Sequence, residues 1–350
     1  MREHQRPALK LGRNMFRRVF LQLAFLFTVA AAQAQLIPGS PTPPPRLPPP
    51  SDGDASQALL EKVPPNTILV KGAEPSASDH STPLPEEGSI AKSIYRNRYL
   101  DMTLPLPGDF TELFEGPPPS DSGKYVLAQL VPASSLKSPV KGTILISAQD
   151  TFFSLIPTRN AVETIRYTKE HLPSYYEAEH APADVKIAGR NFVRFDYKSP
   201  VANLHWHVLA TEIRCHVVEF VFTSQDTTLL ERLVADLNKM ELPADTRTPV
   251  CIGNYATAAN ITYKVDPILA DRRFNQIPVR IIIDKNGRVR HVHLISAFSD
   301  QATKITEALL QWTFKPYMRN GQAVEVETGI MFRSTKNGND ASRTAASTND

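Results

Sequence analysis

Residues 276–333 read QIPVRIIIDKNGRVRHVHLISAFSDQATKITEALLQWTFKPYMRNGQAVEVETGIMFR, and they decide the fold of the C-terminal part of the chain. Two apolar runs, over 279–284 and 288–296, predict neighbouring strands. The turn between them, at 285–287, contains an Asn-Gly pair, which accepts the positive φ that tight hairpin turns require. The stretch therefore opens with a β-hairpin.

A helix and a last strand are predicted after the hairpin. The helix covers 301–310, and its apolar face repeats at helical spacing with Ile305, Leu309 and Trp312. Phe314 continues this face into the exit segment. The last strand covers 324–332, where side chains alternate. One side carries Val324, Val326, Thr328, Ile330 and Phe332, and the other carries Glu325 and Glu327.

The resulting order, β-β-α-β, together with "IDKNGRV", "QWTFKPYMRNGQAV" and the alternating final strand, resembles the C-terminal domain of the TonB energy-transducer family. The resembling segment is 250–333. In that family the last strand accepts an extended peptide from an outer-membrane transporter, so the resemblance implies that 324–332 is a partner-binding edge strand. A three-stranded sheet leaves unpaired N–H and C=O groups at its edges, which suits such strand addition. The other interpretation is an ordinary strand protected by its two glutamates.

The start of the chain indicates export. Arg13, Arg17 and Arg18 precede an apolar run over 19–32 that ends in Ala-Gln-Ala, the pattern of a cleaved signal peptide over 1–34. The run is shorter than the ~20 residues that a spanning helix needs. We therefore expect a periplasmic or secreted protein, with a retained inner-membrane anchor as the alternative. Energy-transducing TonB proteins carry a His in this helix, and its absence here argues against proton-motive coupling.

Two segments are predicted to be disordered. Residues 35–92 are rich in proline and serine, and this composition predicts a mostly unstructured linker. Residues 334–350 form a polar tail.

Between these segments, residues 93–243 have a globular composition, with six strand-like runs and two helical runs. We expect an antiparallel sheet flanked by helices, an α+β domain. Its order of elements, and its opening "YRNRYLDMTLPLPGDF", are similar to PsbP-like domains. That resemblance implies a non-catalytic domain that binds a ligand or a protein.

The chain lacks the motifs of common enzymes, including G-x-S-x-G, H-E-x-x-H, C-x-x-C and a phosphate-binding glycine loop. We therefore predict neither catalytic residues nor a cofactor. The net charge of +3 is too small for a nucleic-acid-binding surface.

Histidines supply a weak candidate for zinc. His205 and His207 share one side of a strand, and a hairpin turning near Thr211 would bring His216 opposite them. The other interpretation is a solvated sheet face, which we also expect for His291 and His293.

Two cysteines are present, Cys215 and Cys251. In an oxidising compartment they would pair and staple the segment between the domains to the middle domain. A buried free thiol at Cys215 is the alternative.

Two functions remain. One is a TonB-like envelope protein that binds a partner, such as an outer-membrane TonB-dependent transporter, through 324–332. The other is a periplasmic ligand-binding or sensor protein that acts through 93–243.

Export generates a first prediction. Mature protein from the native host should begin at Gln35, because cleavage follows Ala34. N-terminal sequencing checks this start. Membrane-bound protein that retains the apolar run would establish the anchor instead.

Overall fold

A computed structural model describes residues 73–113, 123–133, 142–153, 156, 158–244, 249–269, 276–333 and 342–344. The predicted signal peptide, the predicted linker as far as residue 72 and most of the predicted tail lie outside these residues. The predicted fold class, a sheet-rich α+β protein, is confirmed. Within the described part of the chain, no helix is both long and apolar enough to cross a membrane.

The middle of the chain forms an eight-stranded antiparallel sheet in the order β5-β6-β7-β12-β11-β10-β8, with β9 also paired to β10. Its strands are β5 (Phe110–Glu112), β6 (Lys124–Pro132), β7 (Gly142–Asp150), β8 (Glu177–Ala178), β9 (Ala183–Ile187), β10 (Arg190–Ser199), β11 (Leu204–Ile213) and β12 (His216–Ser224). The hairpin between β11 and β12 turns at residues 214–215, beyond the predicted position near Thr211.

Helices cover both faces of this sheet. On one face lies α1 (Ala161–Glu170), which Asn160 caps by accepting from the Glu163 N–H. On the other face lies α2 (Thr227–Asp236), capped by Asp226 and followed by a 3-10 turn (Leu237–Lys239). Each helix buries apolar side chains against the strands, so the sheet has a core on each side.

A three-stranded meander extends the core beside α2. It consists of β2 (Gly88–Ala91), β3 (Ile94–Asn97) and β4 (Met102–Pro105). Its first strand lies within the segment 35–92, for which disorder was predicted, and so does β1 (Glu74–Ala77). The prediction is wrong for 73–92. This polar segment is ordered by partners far along the chain, which local composition does not reveal.

The C-terminal sheet has the order β1-β16-β15-β20-β13, and β21 also pairs with β20. Its strands are β13 (Val250–Cys251), β15 (Gln276–Ile283), β16 (Val289–Ala297), β20 (Val326–Arg333) and β21 (Ser342–Thr344), together with β1. The predicted order β-β-α-β is present as β15, β16, α3 (Ser299–Leu309) and β20. Two small pairs complete it: β14 (Ile261–Tyr263) with β17 (Thr313–Phe314), and β18 (Tyr317–Arg319) with β19 (Gln322–Val324).

The turn between β15 and β16 differs in detail from the prediction. Only the glycine of the Asn-Gly pair has positive φ, +79° at Gly287, and the register shifts next to it. A Cβ at Gly287 would lie 2.0 Å from the Phe314 carbonyl oxygen, and the Phe314 N–H donates to Gly287 O at 2.7 Å. Glycine is required here because the turn packs directly on the segment after α3.

The apolar face of α3 packs as predicted. Ile305, Leu309 and Trp312 are each at most 1% exposed, and Phe314 is 3% exposed. The Trp312 indole Nε1–H donates to Val265 O at 2.7 Å, so its one polar atom is satisfied.

Truncating this side chain tests the core. Trp312→Ala should lower the free energy of unfolding by about 3–5 kcal/mol, because it leaves a large cavity. Urea unfolding followed by circular dichroism measures the loss. Tyr263→Ala, at a residue that is 56% exposed, is the control, and it should change stability by at most about 0.5 kcal/mol. Equal effects of the two changes would mean that α3 does not form this core.

Candidate functional site

The two faces of the C-terminal sheet have different chemistry. Side chains at alternate positions of β15 and β20, such as Ile281 and Thr328, pack under α3. Arg280 and Glu327 point to the opposite face, where each is 2% exposed. Glu327 lies on the side of the strand predicted to carry the two glutamates, and the middle of the chain covers this side.

Arg280 lies at the centre of the contact. Its guanidinium donates to Glu327 Oε1 from Nε at 3.1 Å and from Nη2 at 2.9 Å. Nη2 also donates to Tyr99 Oη at 2.7 Å, and Nη1 donates to the Asp150 carboxylate at the end of β7. Residues from three distant parts of the chain thus share one buried cation.

A second arginine reaches Glu327 from the β11–β12 turn. Arg214 Nη2 donates to Glu327 Oε2 at 2.8 Å and Nη1 donates to Tyr99 O at 2.7 Å. Its guanidinium carbon lies 3.8 Å from the centre of the Tyr99 ring. Arg214 has φ +54°, an uncommon conformation for a residue with a side chain, which these contacts hold in place.

These charges determine the ionisation of Glu327. Burial alone would raise its pKa, but the neighbouring Arg280 and Arg214 lower the pKa from 4.5 to about 2. The carboxylate is therefore ionised at neutral pH. The two predicted domains, 93–243 and 250–333, are joined through a shared buried ionic contact.

The three histidines proposed for zinc do not come together. His216 lies at the β11–β12 turn, where its Nε2 bonds the Tyr125 hydroxyl, and burial holds its pKa well below the usual value. His205 and His207 lie toward the other end of β11, opposite Ser224 and Phe222. The hairpin turns later than predicted, which separates His216 from them.

His207 belongs to a different cluster, with Asp196 and Glu231, whose potential ligand atoms lie within 4.8 Å of one another. Arg194 Nη2 occupies its centre, at 2.8 Å from Asp196 Oδ2, 2.6 Å from Glu231 Oε1 and 3.1 Å from His207 Nδ1. The guanidinium supplies the positive charge that the acids require. His205 instead bonds Glu179 at 2.9 Å.

His291 and His293 are each 3% exposed, so the predicted solvated face is wrong for them too. His291 Nδ1 lies 2.8 Å from Asp79 Oδ2, and His293 Nε2 lies 2.8 Å from Glu86 Oε1. Burial would raise the pKa of Glu86, but the facing His293 lowers it overall. The acids come from the segment predicted to be disordered, and these contacts order it.

The predicted edge strand is occupied on its outer side. Val250 N–H donates to Glu325 O at 2.8 Å and Ile252 N–H donates to Glu327 O at 3.0 Å, which places β13 beside Val326 and Glu327. Antiparallel β21 pairs with residues 330–332. The free edge expected for this strand is thus filled by the chain itself.

The predicted binding residues of this strand lie in different places. Val326, Thr328, Ile330 and Phe332 are at most 1% exposed and point into the core, whereas Val324 belongs to β19. Only main-chain groups of β20 are therefore directed at the edge. Because Glu325 O and Glu327 O point outward, alternation directs the N–H groups of Gly329 and Met331 outward and that of Val326 toward β15.

Cys215 and Cys251 form a disulfide, with Cα atoms 5.5 Å apart. It ties the β11–β12 turn to β13. Beside it lies an open groove of about 560 Å³, to which Cys251, Arg214, Arg190, Lys186 and Arg319 contribute. Glu212 also lines the groove, so its formal charge is positive, and we call it the basic groove; it lies next to the occupied edge of β20.

Sequence reasoning missed the residues that join the domains. Arg280 lies within the predicted strand 279–284, Tyr99 begins a strand-like run, and Asp150 follows another, over 142–147. An arginine inside an otherwise apolar strand, IPVRIII, was the available signal, because such a charge needs a buried partner. No feature of the sequence near Arg280 identified that partner.

The ionic contact predicts a pH-dependent stability. A pKa lowered from 4.5 to about 2 corresponds to about 3 kcal/mol of stabilisation above pH 4.5, lost as pH falls toward 2. Glu327→Gln should remove this contribution, so its deficit against the unaltered chain is full at pH 7 and shrinks on acidification. Urea unfolding at several pH values measures the difference. Glu325→Gln, which alters the half-buried pair with Arg290, is the control, and it should cost at most about 1 kcal/mol. A deficit independent of pH would contradict the assignment.

Comparisons with known proteins identify no family. No family model matches the chain, and no curated protein sequence matches it. A crystal structure of a protein from Bacteroides thetaiotaomicron VPI-5482, at 1.50 Å resolution, is similar over 42% of this chain, with 14% identity and a TM-score of 0.27. The matched part covers 46% of that protein. A TM-score this low supports no inference about the fold or function of this chain.

Proposed function

We propose that this chain is an exported, TonB-like envelope protein that binds an extended segment of a partner along the outer edge of β20. The partner class is an envelope protein such as an outer-membrane TonB-dependent transporter. The resemblance of 250–333 to the TonB family motivates the partner, and the signal-peptide pattern motivates the location.

One observation supports strand addition above all. The C-terminal sheet takes up three short strands from outside its β-β-α-β unit, β1 at one edge and β13 and β21 at the other. Each is two to four residues long. Main-chain hydrogen bonds are the common element of these pairings, and they are also what a peptide added to a sheet edge uses.

The place of β21 is the proposed binding position. Its three residues pair with 330–332 and follow β20 in the sequence, so an incoming peptide can replace it while β15, β16 and α3 stay in place. In contrast, β13 is tied by the disulfide. The resting protein therefore carries its own competitor for the partner.

Removing the competitor tests this function. A chain that ends at Arg333 should bind a labelled peptide with the sequence of residues 339–345, measured by fluorescence anisotropy. Binding to the full-length chain should be at least about tenfold weaker, because a tethered strand has an effective concentration near millimolar. A chain that ends at residue 345 keeps β21 and is the control. Equal binding to all three chains would contradict the proposal.

A proline substitution tests the edge itself. Met331→Pro in the chain that ends at Arg333 removes an outward N–H and should abolish peptide binding while circular dichroism stays unchanged. Met331→Ala keeps the N–H and should bind normally. Val326→Pro would instead break the β15–β20 ladder, because its N–H points inward. Undiminished binding by a folded Met331→Pro variant would exclude the edge as the site.

A further inference from the structure

The disulfide joins a buried sulfur to an accessible one. Cys215 is 0% exposed, whereas Cys251 is exposed and lines the basic groove. A nucleophile arriving from solvent therefore meets Cys251 first. Attack on a disulfide depends on access to one sulfur and on the stability of the thiolate that leaves from the other.

The surroundings favour the approach of such a nucleophile. Four basic side chains, Lys186, Arg190, Arg214 and Arg319, and one acidic side chain, Glu212, contribute to the groove. Its formal charge is therefore positive, and it draws a negatively charged thiolate toward Cys251.

Among the described residues, few contacts besides the disulfide hold β13, and the packing of the adjoining Ile252 against the C-terminal core is one of them. The strand has two residues, of which Val250 is half-buried and Cys251 exposed. Its hydrogen bonds to β20 include the two from Val250 N–H and Ile252 N–H. The nearest buried anchor after it is Tyr255, which is 7% exposed.

We propose that the Cys215–Cys251 disulfide is a reducible latch, opened by an external dithiol that attacks Cys251 from the basic groove, and that its opening releases β13 from β20. The inference deepens the proposed function, on which its biological meaning rests. Release exposes the edge at Val326 and Glu327 and so lengthens the stretch open to a partner strand.

The reaction is a thiol–disulfide exchange in which atoms and electrons balance. A thiolate of the dithiol bonds to Cys251 Sγ, the Cys215–Cys251 bond breaks, and Cys215 leaves as a thiolate. The second thiol of the reagent, as its thiolate, then attacks the reagent's own sulfur in the mixed disulfide and frees Cys251. Both cysteines end as thiols with the two protons of the dithiol. The protein disulfide gains two electrons, and the dithiol becomes a disulfide.

The site of attack is tested on the full-length, folded chain with charged monothiols. Mercaptoethanesulfonate should form its adduct on Cys251, located by peptide mass mapping. It should react at least about threefold faster than the cationic cysteamine, after each rate is divided by that on the urea-unfolded chain. Arg319→Gln should reduce this ratio. Adducts on Cys215, or a ratio of one, would overturn the assignment.

Release of β13 is tested by hydrogen exchange on the same full-length chain. After dithiothreitol, the Val250 and Ile252 amides should exchange at least about tenfold faster, while the Phe314 amide, bonded to Gly287 O, keeps its rate. Cys251→Ser should show the fast exchange without reductant and no response to it. Unchanged exchange, or reduction only with loss of circular dichroism signal, would overturn the latch.

No peptide takes part in these measurements. If the adduct or exchange measurements contradict the latch, the proposal of strand addition is unaffected. If the peptide-binding measurements contradict strand addition, the proposal of a reducible disulfide is unaffected.

Discussion

The buried contact between Arg280 and its acidic partners is the interaction on which the architecture depends. Withdrawing charges from water costs several kcal/mol for each ion, and only close, fully bonded partners offset that cost. Glu327, Asp150 and Tyr99 provide these partners from different elements. If the C-terminal sheet left the middle sheet, Arg280 and Glu327 would face water while Asp150 remained behind. The contact therefore favours one arrangement of the two sheets over alternatives.

How far the sequence predicted the fold depends on the range of the interactions. The β-β-α-β order and the face of Ile305, Leu309 and Trp312 follow from local periodicity, and the structure contains them. The position of Asp79 and Glu86 does not, because their partners lie more than 200 residues away. A polar segment ordered by two histidines looks, from its composition, like a linker.

The candidate site also combines features that local periodicity predicts with features that only distant contacts determine. Alternation in 324–332 correctly grouped Val326, Thr328, Ile330 and Phe332 on one side of the strand, yet the sequence could not reveal that β13 and β21 would fill the edge. Short strands carry too little pattern to be recognised, and their pairing is set by tertiary contacts. Their presence also protects the sheet, because an open edge invites association with other chains. Strands of two or three residues give this protection with few hydrogen bonds.

The position of β1 constrains the order in which the chain acquires its structure. The Ser78 hydroxyl oxygen accepts from the Val292 N–H, which lies 214 residues later in the chain. The strand β1 therefore cannot pair until β16 has been synthesised. Closing a loop of that length costs entropy before any contact compensates it, and such distant pairings form slowly. During synthesis the segment around residues 74–86 therefore remains available to chaperones and proteases until the C-terminal sheet exists. Completion of β16 ends this exposure, so a chain that stops before β16 would differ from one that contains it by an accessible segment at 74–86.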